Sequence, residues 1–207
     1  MATGKAPLRE TLAAGILLAS GWDGLSPLLD PFCGSGTIAI EAARLARKIP
    51  PGLGRRFAFM DWPNFMPAVW EKILDEARNN LSPSNPKIVA SDRDAGAIQA
   101  ARANAERAGV ANSVEFSCRA FSSVDPPIGP GWVVTNPPYG IRLKTSRDLR
   151  SLYTRFGQVL RAKCSGWRVA MLCNSAHLWR ATGLESAPGI PLRNGGLKVL
   201  LMRAWIK

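Results

Sequence analysis

Apolar residues along the chain fall into short continuous runs that alternate with longer segments of helical spacing. The short runs predict five strands, at residues 27–30, 87–91, 114–117, 132–135 and 169–173. The longer segments predict five helices, at residues 12–22, 38–47, 68–80, 95–108 and 146–163. Because strands and helices alternate, the pattern predicts a mostly parallel sheet with helices on both faces.

The last part of the chain follows a different pattern. Apolar runs at residues 190–193 and 198–205 flank Asn194, Gly195 and Gly196, whose preference for left-handed turns is typical of an antiparallel hairpin. The complete prediction is an α/β fold with a seven-stranded, mostly parallel sheet that ends in an antiparallel hairpin.

Length and composition describe one folded, basic domain. A chain of 207 residues is long enough for one hydrophobic core and short for two ordinary domains. Hydrophobic residues make up 46% and charged residues 20%, which excludes disordered, collagen-like and coiled-coil proteins. Lys and Arg number 27 against 15 Asp and Glu, a formal net charge of +12. This excess predicts a polyanionic partner, nucleic acid before an acidic membrane.

The cysteines and the histidine show no familiar metal-binding spacing. Cys33, Cys118, Cys164 and Cys173 lie far apart, and His177 is the only histidine. Because these residues build neither a zinc cluster nor a disulfide framework, we predict no metal and a reducing, cytoplasmic location. The apolar segment at residues 12–22 is too short to cross a bilayer, and we predict no membrane partner.

A glycine-rich turn follows the first predicted strand. Gly34 and Gly36 permit a tight turn in which the backbone approaches a ligand, and the next helix offers free N–H groups. Asp92, at the end of the next strand, can accept hydrogen bonds from the ribose of an adenosine-bearing cofactor. The alternatives are a plain helix-entry turn for the glycines and a helix cap for Asp92. A nicotinamide-binding oxidoreductase is disfavoured because no ribose-binding acid lies at the expected distance.

The sequence NPPY follows the fourth predicted strand. An exocyclic amine conjugated to a ring is a poor nucleophile, because its lone pair is delocalised. The Asn136 side-chain oxygen and the Pro137 carbonyl can each accept one N–H and localise that pair, while Pro138 helps to hold them extended. Tyr139 offers a flat face for an extruded base. The alternative is a Pro-Pro turn that only ends a strand.

These motifs belong to a set that appears in one order along the chain. The set comprises APLRETLAA at 6–14, DPFCGSGT at 30–37, EAA at 41–43, SDRD at 91–94, NA at 104–105, NPPYG at 136–140 and RNG at 193–195. With these residues the sequence resembles the S-adenosylmethionine-dependent methyltransferases, and specifically the THUMP-associated, UPF0020-type RNA guanine-N2 methyltransferases. The resemblance covers almost the whole chain and implies a Rossmann-like class I methyltransferase fold.

The resemblance also implies roles for individual residues. The cofactor S-adenosyl-L-methionine would be held by Asp30, Pro31, Phe32, Cys33, Gly34, Ser35, Gly36, Thr37, Asp92, Arg93 and Asn136. The target amine would be held by the catalytic residues Asn136, Pro137, Pro138 and Tyr139. The implied reaction is methylation of guanine N2 in structured rRNA or tRNA. Open alternatives are DNA adenine or protein glutamine as acceptor, and an RNA-binding module without catalysis.

Two departures from the family pattern bear on these expectations. Ala120 stands where such enzymes usually carry an acid that accepts from the adenine amino group. No THUMP-like segment precedes residue 6, so we expect a single catalytic domain over residues 1–207, with the helix of residues 1–26 packed on the cofactor site. RNA would then be held by the domain's own surface.

A basic segment follows NPPY and is the predicted RNA-binding surface. Between residues 142 and 163 lie seven cations and one opposing acid, Asp148. The residues expected to contact RNA phosphates are Arg142, Lys144, Arg147 and Arg150. The alternative is an ordinary solvated helix face, because helical cations need not share one side.

Overall fold

The computed structural model describes residues 8–139 and 146–207. Its helices are α1 (Glu10–Ser20), α2 (Thr37–Ala46), α3 (Pro67–Asn79), α4 (Ala95–Arg107), α5 (Ser146–Lys163) and α6 (Ala176–Ala181). Its strands are β1 (Leu28–Asp30), β2 (Ile88–Asp92), β3 (Val114–Cys118), β4 (Trp132–Thr135), β5 (Arg168–Cys173), β6 (Ile190–Asn194) and β7 (Leu197–Trp205). Short 3-10 turns cover Ala58–Asp61, Ala111–Ser113 and Phe121–Ser123.

All seven strands form one sheet in the order β3-β2-β1-β4-β5-β7-β6. The strands β1 to β5 are parallel to their neighbours, while β7 is antiparallel to both β5 and β6. Only β7 therefore runs against the others, and β6 ends at the same edge as β1 to β5. This arrangement confirms the predicted mostly parallel sheet with a closing hairpin.

Most predicted elements lie within two residues of the observed ones, and the differences have local causes. The first helix begins and ends two residues earlier than predicted, because Gly21 takes a left-handed φ of 80° and its N–H bonds to the Leu18 carbonyl. The helix α6 was not predicted. It spans only six residues, and its clearest signal is the N-cap Ser175, whose hydroxyl accepts from the His177 N–H.

The sheet is covered on both faces by separate hydrophobic cores. One core joins α1, α2 and α4 to the sheet, with Ile16, Ile38 and Ile98 among its buried residues. The other lies under α5 and α6. The helix α5 buries a stripe at i, i+4, i+7 and i+11, consisting of Leu149, Tyr153, Phe156 and Leu160. Burial of each such side chain stabilises the fold by roughly 1.5–3 kcal/mol.

The segment between α2 and β2 projects from this layered core. The helix α3 buries none of its residues. Its Trp70 ring packs on Phe59 of the preceding 3-10 turn, and Phe59 also contacts Phe65, with ring centroids 5.3–5.9 Å apart. Across the described part of the chain, no helix is long and apolar enough to cross a membrane.

Candidate active site

The predicted site residues meet at one edge of the sheet, where the parallel strands end. The glycine turn follows β1, Asp92 ends β2, and Asn136 follows β4. Since β1 lies between β2 and β4, these three strand ends are neighbours. Ligands of open α/β sheets bind in this position, outside the carboxyl ends of the strands.

The turn after β1 contains two glycines with different structural roles. Gly36 is the N-cap of α2 with φ 86°, and a Cβ there would lie 3.0 Å from Ala101 and 3.1 Å from the Phe116 ring. Gly34 has φ 53°, and a Cβ there would meet nothing within 4 Å. Gly36 thus packs the turn against α4 and β3, while Gly34 leaves open space beside the loop.

Two polar side chains hold the glycine turn from neighbouring elements. Asp92 accepts a hydrogen bond from the Gly34 N–H at 3.0 Å through one oxygen and from the Asp94 N–H at 3.0 Å through the other. On α4, the Asn104 amide donates to the Ser35 carbonyl at 2.9 Å. These contacts fix the turn before any ligand arrives.

The Asp30 carboxylate joins the glycine turn to the strand that carries the NPPY segment. It is 1% exposed and accepts from the Thr135 hydroxyl at 2.6 Å and the Phe32 N–H at 3.3 Å. Burial raises the pKa of Asp30 to about 7, and these two hydrogen bonds oppose the rise. Thr135 directly precedes Asn136, so a single hydrogen bond links the two halves of the site.

The remaining residues at the start of the turn pack towards the protein interior. The Phe32 ring packs 5.2 Å from both Phe121 and Phe156, so it turns into the core under α5. Pro31 and Cys33 are buried. Burial first, and then the charges of Asp30 and Asp92, raise the pKa of the Cys33 thiol far above its usual value, so it stays protonated.

In the NPPY segment, Tyr139 is tied to three strand ends by asparagines. Its hydroxyl donates to the Asn136 side-chain oxygen after β4, and the Asn194 side chain at the end of β6 lies close enough to lower the pKa of this hydroxyl. Its carbonyl accepts from the Asn174 amide, after β5, at 3.3 Å. The tyrosine ring is half-buried against the core formed with α1, α2 and α4.

The acceptor chemistry of Asn136 is only partly used by this contact. An amide oxygen has two lone pairs, and Tyr139 occupies one. Burial raises the pKa of Tyr139, and the hydrogen bond from Asn194 opposes it, so the hydroxyl remains a donor near neutral pH. From α5, the buried Tyr153 hydroxyl lies 3.5 Å from the Pro138 carbonyl. These contacts hold the segment in place, and among the described residues only Tyr139 donates to the Asn136 side-chain oxygen.

Residues expected on the adenine side of a cofactor lie at the ends of β2 and β3. Arg93 is exposed, and Ala120 is exposed at the start of the 3-10 turn after β3. Within the described ranges, no three His, Cys, Asp or Glu side chains are grouped in a way that could hold a metal ion.

The predicted RNA-binding residues are only partly described. Arg142 and Lys144, together with the side chain of Arg147, lie outside the described residues. Arg150 is exposed on α5. Farther along the helix, the Arg161 guanidinium donates to the Thr182 carbonyl at 2.8 Å, and the Lys163 ammonium pairs with Asp125 at 3.0 Å. These last two cations stabilise the fold, so the predicted basic track is shorter than its seven residues.

Four functional contacts were missed by sequence reasoning. Thr135 and Asn174 stand in no motif, while Asn104 and Asn194 stand in motifs to which no role had been given. Thr135 ends a buried strand, and Asn174 directly follows one. A polar residue at such a position was the signal that could have identified both contacts.

The described residues fit an adenosine-bearing cofactor. A carboxylate offers about four acceptor positions, and backbone N–H groups occupy two of those on Asp92. The remaining positions suit the two hydroxyls of a ribose, and the space beside Gly34 lets the ligand approach the backbone.

Comparisons with known proteins agree with this geometry. The family model for the UPF0020 RMKL-like methyltransferase domain matches residues 1–203. The ribosomal RNA large subunit methyltransferase K/L of Shewanella sp. strain MR-4 is 42% identical over 202 residues, which are 95% of this chain and 28% of that protein. The chain thus spans less than a third of that relative.

Solved structures show the same architecture. SMU.472, solved in complex with SAH, superposes with a TM-score of 0.93 at 31% identity, over 99% of this chain and 54% of that one. A protein from Listeria monocytogenes str. 4b F2365, described as a predicted N6-adenine-specific DNA methylase, has a TM-score of 0.87 at 32% identity, over 99% and 53% of the two chains. The chain belongs to the UPF0020 family and carries its RMKL-like methyltransferase domain.

Proposed function

We propose that this domain transfers a methyl group from S-adenosyl-L-methionine to an exocyclic amine of structured RNA, namely guanine N2 in rRNA or tRNA. One observation carries the proposal. The Asp30–Thr135 hydrogen bond holds the start of the cofactor turn against the residue before Asn136, so a donor and an acceptor can meet at one edge.

The cofactor supplies an electrophilic methyl group on a sulfonium when bound. Asp92 would hold its ribose, Asp30 to Thr37 would surround its methionine part, and Arg93 would face the adenine edge. The helix α1 packs on α2, which begins at this turn, so the whole chain acts as one catalytic domain in this proposal. Because Ala120 has no acceptor group, one expected contact with the adenine amino group is missing. Contacts with the adenine edge would then come from Arg93 and the backbone.

The acceptor residues activate the target nitrogen by geometry. The free lone pair of the Asn136 oxygen and the Pro137 carbonyl accept the two N–H groups, which localises the nitrogen lone pair. The nitrogen then forms a bond to the methyl carbon while the carbon–sulfur bond breaks and its electron pair stays on sulfur. The alkylated nitrogen loses its proton to water, so no base with a pKa near 7 is needed.

RNA as substrate is supported by two independent features. The net charge of +12 favours a polyanion, and the Shewanella relative is a ribosomal RNA methyltransferase. The four free cysteines suit the reducing cytoplasm, where such RNA is made. DNA adenine is the second candidate acceptor, because the Listeria protein bears that description.

The decisive experiment is methyl transfer to defined acceptors. The protein is incubated with radiolabelled S-adenosylmethionine and either unmodified ribosomal RNA transcribed in vitro, tRNA transcripts or duplex DNA. The labelled product is then digested to nucleosides and identified by mass spectrometry. Asn136→Ala serves as the inactive control, because it removes the amide acceptor and leaves the cofactor turn intact.

We expect N2-methylguanosine from RNA and no label in DNA. Label in N6-methyladenosine would show that the acceptor is adenine and that the proposed guanine acceptor is wrong. Binding of RNA without transfer to any acceptor would favour a non-catalytic RNA-binding module.

A further inference from the structure

Two motifs of the sequence, at residues 6–14 and 193–195, contribute only Asn194 to the site described above. The structure brings parts of both together in a groove of about 440 Å³ between the start of α1 and the β6–β7 turn. Its lining residues are Arg9, Thr11, Leu12, Arg193, Asn194 and Gly195. A groove of this size accommodates one nucleotide.

The groove adjoins the acceptor segment through shared residues. Asn194 lines it and lies beside the Tyr139 hydroxyl. Leu12 packs on the same hydrophobic core as the Tyr139 ring. The groove therefore lies beside the acceptor segment, where β6 ends at Asn194.

The charge of the groove suits a phosphate. Arg9 and Arg193 are both exposed, and neither makes an ion pair with any residue that the structure describes. Guanidinium groups bind phosphate oxygens with paired, charge-assisted hydrogen bonds. The Thr11 hydroxyl adds a neutral partner at the same wall.

A second groove continues from the first along the hairpin. It has a volume of about 620 Å³ and shares Arg193 with the first groove. Its lining adds Asn174 and Lys198, but its other residues are apolar, namely Pro191, Leu192, Val199 and Leu200. Arg193 therefore lies between the two grooves, and the first of them is the better match for a phosphate.

We propose that the groove between α1 and the hairpin turn binds the phosphate and ribose of the target nucleotide, with Arg9 and Arg193 on the phosphate. The inference rests on the proposed function, because it takes the base at Asn136 to belong to that nucleotide. It adds a phosphate-binding site distinct from the basic segment after NPPY.

The test measures binding directly and does not need catalysis. Backbone amide resonances of the isotope-labelled protein, saturated with S-adenosylhomocysteine, are followed while guanosine 5′-monophosphate, guanosine or inorganic phosphate is added. We expect the nucleotide to shift the resonances of Thr11, Asn194 and Gly195, with at least about tenfold tighter binding than guanosine. In Arg193→Gln, the advantage of the nucleotide over guanosine should fall to less than about threefold.

The matched control is Lys87→Gln, which removes one cation at the start of β2, on the opposite edge of the sheet. It should leave the advantage of the nucleotide unchanged. Equal binding of nucleotide and guanosine in the wild type overturns the proposal, as does an unchanged advantage in Arg193→Gln. Inorganic phosphate that binds as tightly as the nucleotide also overturns it, because the groove would then be an anion site only.

Failure of the groove and failure of the proposed function give different results. Nucleotide binding in the groove without methyl transfer to RNA would refute the function and leave the groove intact. Transfer to RNA with an unchanged KM for RNA in Arg193→Gln would refute the groove alone.

Discussion

The two halves of the sheet end in chemically different side chains. On the cofactor half, β1 and β2 end in the carboxylates Asp30 and Asp92. On the acceptor half, β4, β5 and β6 lead to the amides Asn136, Asn174 and Asn194, and all three contact Tyr139. The same edge therefore carries acidic groups on one side and neutral amides on the other.

This difference suits the two ligands of the proposed function, a cationic cofactor and an RNA. Carboxylates accept hydrogen bonds strongly from hydroxyl groups and attract a cationic ligand, as the cofactor half requires. Beside a polyanion, an additional carboxylate would repel the phosphates, whereas an amide accepts an N–H group without a charge. The Asp30–Thr135 hydrogen bond is where the two chemistries meet.

The largest effect should come from Asn136→Ala on the acceptor half. We expect the rate of methyl transfer at saturating RNA and cofactor to fall by at least about 10³-fold, because the acceptor acts mainly on the reacting amine. Cofactor affinity, measured by titration calorimetry, should stay within about tenfold of the wild type. Turnover close to that of the wild type would remove Asn136 from the reaction.

The complementary change is Asp92→Ala on the cofactor half. It should weaken cofactor binding by about 10- to 100-fold, because it removes charge-assisted hydrogen bonds and frees the Gly34 N–H. Turnover at saturating cofactor should change much less. The neighbouring Asp94→Ala is the control, since Asp94 caps α4 and should cost about 1 kcal/mol of stability without changing cofactor affinity.

The junction between the halves predicts a dependence of stability on pH. Because burial raises the pKa of Asp30 to about 7, the folded protein holds this proton more tightly than the unfolded chain does. Between about pH 4 and pH 7, raising the pH therefore removes stability, by at most about 1.4 kcal/mol per pH unit. Urea unfolding measures the free energy of unfolding at pH 5 and at pH 7. From pH 5 to pH 7 the wild type should lose stability relative to Asp30→Asn, and an equal change in both proteins would contradict this.

The smallest effect should come from the exposed surface of the acceptor half. Arg150→Gln should weaken RNA binding a few-fold and reduce the slope of log affinity against log salt by about 1, if Arg150 contacts a phosphate. Lys87→Gln, at the far edge of the sheet, should leave the slope unchanged. Filter binding at several salt concentrations measures the RNA affinity of both variants. Equal slopes for Arg150→Gln and wild type would show that Arg150 contacts no phosphate and that the exposed face of α5 is an ordinary solvated helix face.

The sequence predicted the cofactor half more completely than the acceptor half. The glycine turn and Asp92 are neighbours because consecutive parallel strands pair, which sequence spacing alone implies. The contact of Asn174 with Tyr139 follows from the direct pairing of β4 with β5. The position of Asn194 near Tyr139 depends instead on β7 being inserted between β5 and β6, which no local pattern encodes. Likewise, the pairing of Lys163 with Asp125 becomes visible only when α5 is placed on the sheet.

The reversed direction of β7 has a consequence for how such domains change their targets. It brings the two-residue turn at Gly195 and Gly196 to the acceptor edge, where a side chain at either glycine would find open space. Additional residues at this turn would lengthen a surface loop without interrupting the pairing of β6 with β7. Under the proposed function, such a loop would lie beside the target nucleotide and far from the cofactor turn.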